Sequence, residues 1–370
     1  MPSVPRSVAI LIDSLDGGGA ERCVVEMARG LVGKGVEVHI FVLKLKQAYD
    51  DADDFTVHVV ANAGEHLGIG VQAGAAALRA AVSEVEQSRR APFDLFLAHL
   101  WQTCELVVAA GLAPAYHFVH VSMGWELRHE LLRSPRRYLR MRRRMAALRG
   151  QDVVTVSEGL RREVESSRIV RPASLRRIYN SFPIEHIRAL ASEPVEGLPD
   201  EPYVVHVGRG SHQKRQDILF RAFRRVPEPY RLVCLSRHTD KLRKLAKRYG
   251  IADRLITPGF QQNPYAWIAR ARLMALSSDF EGHPRVLVES LICGTPIVST
   301  RCRHGPDEIL GERLARWLVP VRRPDLLGDK ISEALDAEIE LTDLPLLDDV
   351  STEAVAIEVM KLIADRRETA

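Results

Sequence analysis

Two glutamates with seven residues between them, Glu281 and Glu289 in Phe280-Glu281-Gly282-His283-Pro284-Arg285-Val286-Leu287-Val288-Glu289-Ser290, have the type and spacing for work on a hydroxylated ligand. One carboxylate can accept hydrogens from two vicinal hydroxyls, which suits a ribose or a sugar ring. If a helix opens near Pro284, that proline falls in the first turn, where its missing N–H is not needed. Glu289 then projects from the first turns and Glu281 from the loop before them, while the N–H groups of His283, Arg285 and Val286 stay open to a ligand. Taken alone, the pair also suits a helix cap with a salt bridge.

A cationic pair stands upstream, in Val207-Gly208-Arg209-Gly210-Ser211-His212-Gln213-Lys214, at the end of a strand that opens a βα unit. Ligands of doubly wound sheets bind at the carboxyl ends of strands. Arg209 can grip two phosphate oxygens at once and Lys214 adds a compact charge, so together they neutralise a diphosphate without a metal. Exposed arginine and lysine after a strand are also common without any ligand. Nearer the start, Asp16-Gly17-Gly18-Gly19-Ala20-Glu21 lies between a strand and a helix. There Gly18 and Gly19 let backbone approach an anion at the helix N-terminus, although the spacing is not GxGxxG and a tight turn is the alternative.

Three lesser candidates fall at matching places in the chain. Asn180 stands at a turn, a position that also suits asparagine for its geometry alone. Gly305-Pro306-Asp307-Glu308-Ile309 opens a short helix, and His120 ends a strand where it can reach a ligand or simply serve the structure. The sequence holds no catalytic triad, HExxH or P-loop lysine motif. Asp50-Asp51-Ala52-Asp53-Asp54 formally contains DxD but follows no suitable strand end, and reads as a solvated loop.

Short apolar runs alternating with helical patterns position these groups, the βαβ signature of an α/β protein with doubly wound parallel sheets. Strands are expected near 8–14, 36–43, 95–98, 117–121, 153–156, 203–207, 231–235, 273–276 and 297–299. Helices are expected near 20–32, 75–87, 158–166, 216–225, 241–248, 265–271, 285–293 and 352–366. At 370 residues the chain exceeds one core, so two domains follow. The proline-rich stretch 182–202 suits a connector, which sets an N-terminal domain at 1–182 and a second at 183–351.

Hydrophobic residues make up 46% of the chain and charged ones 27%, an ordinary globular composition. The apolar run at Val8 to Ile12 is too short for a secretory or spanning segment. Five scattered cysteines without CxxC spacing indicate neither disulfides nor zinc and point to a reducing cytoplasm. Net charge is only +4, but nine arginines crowd Arg128 to Arg149, interleaved with Leu131, Leu132, Tyr138, Leu139, Met141, Met145 and Leu148. Such a segment suits an anionic membrane surface, where each basic side chain contributes about 1 kcal/mol. The alternative is a solvated helix whose arginines pair with carboxylates elsewhere. Nucleic acid is disfavoured, because no aromatic-interleaved binding motif accompanies the charge.

Together VGR…K, FEGHPRVLVESLICGTPIVST, GPDEIL, GGGAER, VSEGL and the Asn180 turn resemble the retaining family-four glycosyltransferases of the GT-B type, which build lipopolysaccharide, capsule and related glycans. The resemblance implies two Rossmann-like domains facing across a cleft, with the helix 352–370 returning to the N-terminal one. It implies that Arg209 and Lys214 hold a donor diphosphate, Glu289 the ribose and Glu281 the transferred sugar. Gly18 and Gly19 would approach phosphate or acceptor, with His120 lining the sugar site. The activity implied is retaining, metal-independent transfer from a nucleotide sugar, UDP favoured over GDP, to a lipid-linked or polysaccharide acceptor, without a cofactor. The expected place is the cytoplasmic face of the bacterial inner membrane, held peripherally. An epimerase or phosphorylase on the same scaffold, or a non-catalytic partner subunit, are the competing classes. Cys234-Leu235-Ser236-Arg237-His238-Thr239 lacks the glycine-rich turn often found there, which leaves the nucleobase contacts open.

Overall fold

A computed structural model describes residues 7–16, 18–44, 55–60 and 70–367. The DxD-like run at 50–54 and Gly17 lie outside the described residues. The chain divides into two compact units, one of residues 1–182 with 349–370 and one of residues 183–348.

In the first unit the elements run β1 (Ser7–Ile12), α1 (Gly19–Gly33), β2 (Glu37–Val42), β3 (Thr56–Val59), α2 (Val71–Arg89), β4 (Leu95–His99) and α3 (Trp101–Ala110). They continue with β5 (Ala115–Val119), α4 (Met123–Arg133), α5 (Pro135–Ala146), β6 (Asp152–Thr155), α6 (Glu158–Glu165) and β7 (Ser174–Arg177). The seven strands lie in the order β3-β2-β1-β4-β5-β6-β7, every pairing parallel. β1 is buried along its whole length, as a central parallel strand covered on both faces must be.

The second unit runs α7 (Ile184–Ser192), β8 (Tyr203–Val207), α8 (Gln216–Phe223), β9 (Arg231–Leu235), α9 (Thr239–Tyr249), β10 (Leu255–Gly259) and α10 (Tyr265–Ala269). Then come β11 (Leu273–Leu276), α11 (Arg285–Ile292), β12 (Ile297–Thr300), α12 (Pro306–Leu314), β13 (Leu318–Val319) and α13 (Pro324–Asp336), and α14 (Leu346–Val350) runs across the division at residue 348. Its sheet, β10-β9-β8-β11-β12-β13, repeats the strand order of the first, again all parallel. In both sheets the order reverses beside the first strand, which makes the carboxyl ends there a ligand crevice.

The expected connector is half helix: α7 occupies 184–192, and only 193–202 is irregular. The final helix, α15 (Thr352–Arg367), belongs to the first unit and packs on α1. Its Val355, Val359 and Leu362 are at most 1% exposed within the β1–β2 core, each contributing about 1.5–3 kcal/mol over an exposed position. The approach needs Gly30, where a Cβ would sit 2.6 Å from the Thr352 carbonyl oxygen. Tyr116 completes the contact by donating its hydroxyl to the Leu362 carbonyl at 3.0 Å.

Candidate functional site

The loop between β8 and α8 carries Arg209 and Lys214 and is tied down from several sides. On β8, burial pushes the His206 imidazole down to about 4, so the ring is neutral near pH 7. Its Nδ1 lies 2.9 Å from the Ala275 carbonyl and its Nε2 lies 3.3 Å from Gln216 Nε2, which assigns the proton to Nδ1. Gln216 Nε2 donates onward to the Arg209 carbonyl at 2.9 Å. Lys241 donates to the Gly210 carbonyl at 2.7 Å, and a Cβ on Gly210 would lie 2.9 Å from that of His238. Against this fixed backbone the Arg209 side chain is exposed, and among the described residues nothing pairs with its guanidinium.

Lys214 turns instead to Glu281, with Nζ 2.8 Å from Oε1. Glu281 also accepts from the Ser278 hydroxyl at 2.6 Å and from Gln213 Nε2 at 3.1 Å, and its carboxylate is 7% exposed. The two residues are 67 positions apart; the adjacency of β8 and β11 joins them. Pro284 is the N-cap of α11 rather than a residue of its first turn, and Leu287 N–H donates to the Pro284 carbonyl at 3.0 Å. The Arg285 and Val286 N–H groups are therefore the first of the helix and have no intrahelical acceptor. Glu289 is not open to a ligand as expected: Arg285 holds it at 3.3 Å, with both side chains at most 10% exposed. Gly305, at φ +95, starts α12 directly against this turn, 3.3 Å from His283 Cα if it bore a Cβ.

In the first unit the carboxyl ends of β1, β4 and β5 bring together Asp13, His99 and His120. Asp13 accepts from the Thr103 hydroxyl at 2.6 Å and the Thr103 N–H at 3.2 Å, capping α3, and burial raises its pKa. His99 Nδ1 lies 2.9 Å from His120 Nε2, and the His99 ring stacks on Phe118 at 4.4 Å. Burial pushes His120 down to about 4 and His99 well below its ordinary value. His120 is thus a hydrogen-bonding ring at neutral pH and not a cation. His99 was not among the sequence candidates, and only the parallel pairing of β4 with β5 reveals it.

Gly18, the N-cap of α1, and Gly19, its first residue, do not leave that helix end bare. A Cβ on Gly18 would collide with the Glu21 carboxylate, which folds back over the turn, so an anion there must displace it. Asn180 is buried in the first unit, beyond β7. The structure therefore gathers Arg209, Lys214, Glu281, His283, Pro284, Arg285, Val286 and Glu289 in the second unit, and Gly18, Gly19, His120 and Asn180 in the first.

The arginine-rich segment is two helices, α4 and α5, meeting at Ser134. Much of its charge serves the fold. Arg133 and Arg137 reach Glu130 at 3.5 and 2.8 Å, and Arg143 and Arg144 share the nearly buried Glu105 at 3.0 and 3.4 Å. Arg149 donates to the Ile169 and Arg168 carbonyls. Arg128, Arg136, Arg140 and Arg142 are exposed without a partner among the described residues, beside Leu131, Leu132 and Leu139, which are 51, 87 and 59% exposed. At the ends of β9 and β10, Arg237 lies 4.2 Å over the ring of Phe260, itself 54% exposed.

Residues 17–186 match the family model Glycosyltransferase Family 4, and residues 191–345 match Glycosyl transferases group 1. Over 154 residues the chain is 32% identical to the N-acetylgalactosamine-N,N'-diacetylbacillosaminyl-diphospho-undecaprenol 4-alpha-N-acetylgalactosaminyltransferase of Campylobacter jejuni. That match takes in 41% of this chain and spans 42% of the length of the Campylobacter protein. Over 393 residues it is 26% identical to D-inositol 3-phosphate glycosyltransferase 2 of Catenulispora acidiphila, covering 93% of this chain and 90% of that one. Among solved structures, Anabaena HepE in complex with UDP and glucose shares the fold with a TM-score of 0.76 at 18% identity, over 97% of this chain and 100% of that one.

Proposed function

The chain belongs to the family 4 glycosyltransferases of the GT-B type, and on that premise we propose that it moves a sugar from a nucleoside-diphosphate donor to a lipid-linked or lipopolysaccharide-type acceptor. The observation that carries this reading is the joined Lys214–Glu281 pair at the carboxyl ends of β8 and β11, with Arg209 on the same loop unpaired among the described residues and the α11 N-terminus beside it. Arg209 and Lys214 would stabilise the negative charge that grows on the departing diphosphate, so no metal is required. Glu281, once released from Lys214, accepts hydroxyl hydrogens of the sugar. Retention by front-face attack, with the leaving phosphate oxygen taking the acceptor's proton, suits a Glu281 that already accepts from three donors and is a weak nucleophile. Glu289 would take the ribose by exchanging its Arg285 contact, and the Arg237–Phe260 pair offers the base a stacking face. UDP is favoured because the HepE structure holds it. A lipid-linked acceptor is favoured by the diphospho-undecaprenol in the Campylobacter relative's name. By family resemblance, His120 and the Gly18–Gly19 turn serve the transferred sugar and the acceptor.

A panel of UDP- and GDP-sugars, assayed with and without EDTA, tests the reading. Slow hydrolysis or transfer of at least one UDP-sugar, unchanged by EDTA, is the expected result. Failure to bind or turn over any donor removes it, and a loss with EDTA removes the metal-free part.

No described helix is long and apolar enough to cross a membrane. We place the chain peripherally on the cytoplasmic face of an anionic membrane through Arg128, Arg136, Arg140 and Arg142 with the exposed leucines between them. Replacing Arg136, Arg140 and Arg142 with glutamate is expected to weaken binding to anionic vesicles about a hundredfold or more, at about 1 kcal/mol for each lost charge. Flotation that is unaffected by these changes, or by raised salt, sinks the placement. Arg143 and Arg144 are unsuitable probes, because removing them would strand Glu105.

A further inference from the structure

The run 213–215 is stitched to the run 277–281 at each residue. Gln213 Nε2 donates to the Phe280 carbonyl at 3.0 Å, and the Gln213 carbonyl accepts from the Asp279 N–H at 3.0 Å. The carbonyls of Lys214 and Arg215 both accept from the Ser277 hydroxyl, at 2.7 and 3.1 Å. Arg215 has φ +46 and ψ +47, the left-handed region in which a side chain crowds its own backbone. Its guanidinium holds Asp217 with two bonds of 2.8 Å and Asp279 with a third of 2.9 Å. The Asp279 side chain is 6% exposed and receives a second arginine, Arg322, at 2.8 Å. Arg322 is also left-handed, at φ +60. Two arginines in a conformation that favours glycine thus converge on one buried carboxylate, two residues before Glu281.

We propose that Arg215, held by Asp279 and backed by Arg322, is a positioning residue for donor turnover: the clamp sets where the Lys214 ammonium and the Glu281 carboxylate stand against a bound nucleoside diphosphate. The inference rests on the function proposed above. A turn at this φ needs only glycine, so an arginine kept there in strain is kept for what its guanidinium holds. Because Lys214 faces charge that grows as the diphosphate leaves, misplacing its ammonium weakens the transition state more than the bound ground state.

Arg215→Gly relieves the backbone while deleting the clamp, so it is not a variant that simply fails to fold. Its kcat is expected to fall about 10–100-fold, the scale of a misplaced catalytic group, with KM for the nucleotide sugar within about threefold. The melting temperature is expected to stay within a few degrees of wild type. Asp279→Asn, which keeps the shape and removes the charge, is expected to move kcat in the same direction. A wild-type kcat in Arg215→Gly, or a loss that only follows the folded fraction, overturns the inference. Absence of turnover in the wild-type chain overturns instead the function on which it rests, and this inference with it.

Discussion

Glu281→Ala is expected to lower turnover by about a thousandfold, the scale on which removing one polar group aimed at the reacting centre acts. Two losses combine in that variant. On the proposed function the transferred sugar loses its carboxylate partner, and Lys214, Gln213 and Ser278 lose the acceptor that arranges them. Glu289 stands differently, because its contact is Arg285 on the same helix and both side chains are almost buried. Glu289→Ala would take the carboxylate away from a nearly buried guanidinium and so disturb the fold as well as the site. The comparison is therefore made with Glu289→Gln, for which a tenfold rise in KM with kcat nearly intact is expected, since the proposed ribose contact would be made in ground and transition states alike. Steady-state kinetics with melting curves on both variants decide the matter. Equal retention of activity in Glu281→Ala and Glu289→Gln would remove both assignments.

Acidification from pH 7.5 to pH 5 is expected to lower the melting temperature by about 5–10 °C, which corresponds to roughly 2–4 kcal/mol in domains of this size. The cause is a set of buried neutral histidines. His117 and His206 are 0% exposed and pushed down by burial to about 4, and His99 and His120 are lowered as well. The unfolded chain binds a proton on each near 6.5 while the folded chain does not. Stability is thus complete above the unfolded value and is lost as pH falls toward 4. At pH 5 the loss is roughly 2 kcal/mol for each of His117 and His206.

Two carboxyls act in the opposite sense within the first unit. Glu126 is raised to about 7 by burial and by Glu130, and Asp13 is raised by burial, so both favour the folded state as protons are added. They offset part of the first unit's loss. In the second unit His206 also steadies the Arg209 loop through Gln216. His206→Asn keeps an amide donor for the Ala275 carbonyl and is expected to remove roughly 2 kcal/mol of this pH dependence. A melting temperature that holds or rises from pH 7.5 to pH 5 would contradict the scheme.

Much of the architecture was legible in the chain. Central parallel strands such as β1 and β8 are continuous apolar runs, because both of their faces are covered, and local composition is enough to find them. The strands β3, β7, β10 and β13 escaped, since an edge or short strand such as Ser174–Arg177 is set by its neighbour and not by its own residues. Helix α3 escaped because Trp101–Ala110 buries seven of its ten residues and shows little helical periodicity.

The candidate site divides along the same line. Residue types and their spacing determined which groups are candidates for the chemistry: a carboxylate pair about a helix start, a cationic pair after a strand, a glycine turn before a helix. Spacing along one element tells which residues share a face. Strand order decides which loops meet, and it brings Lys214 to Glu281 across 67 positions and His99 to His120 across 21. Only the tertiary structure showed that Glu289 is already held by Arg285, that Glu21 covers Gly18, and that half of the arginine run serves the fold. The physical reason is that a charge in a folded chain takes the nearest partner the packing supplies, and the identity of that partner lies in the sheet order.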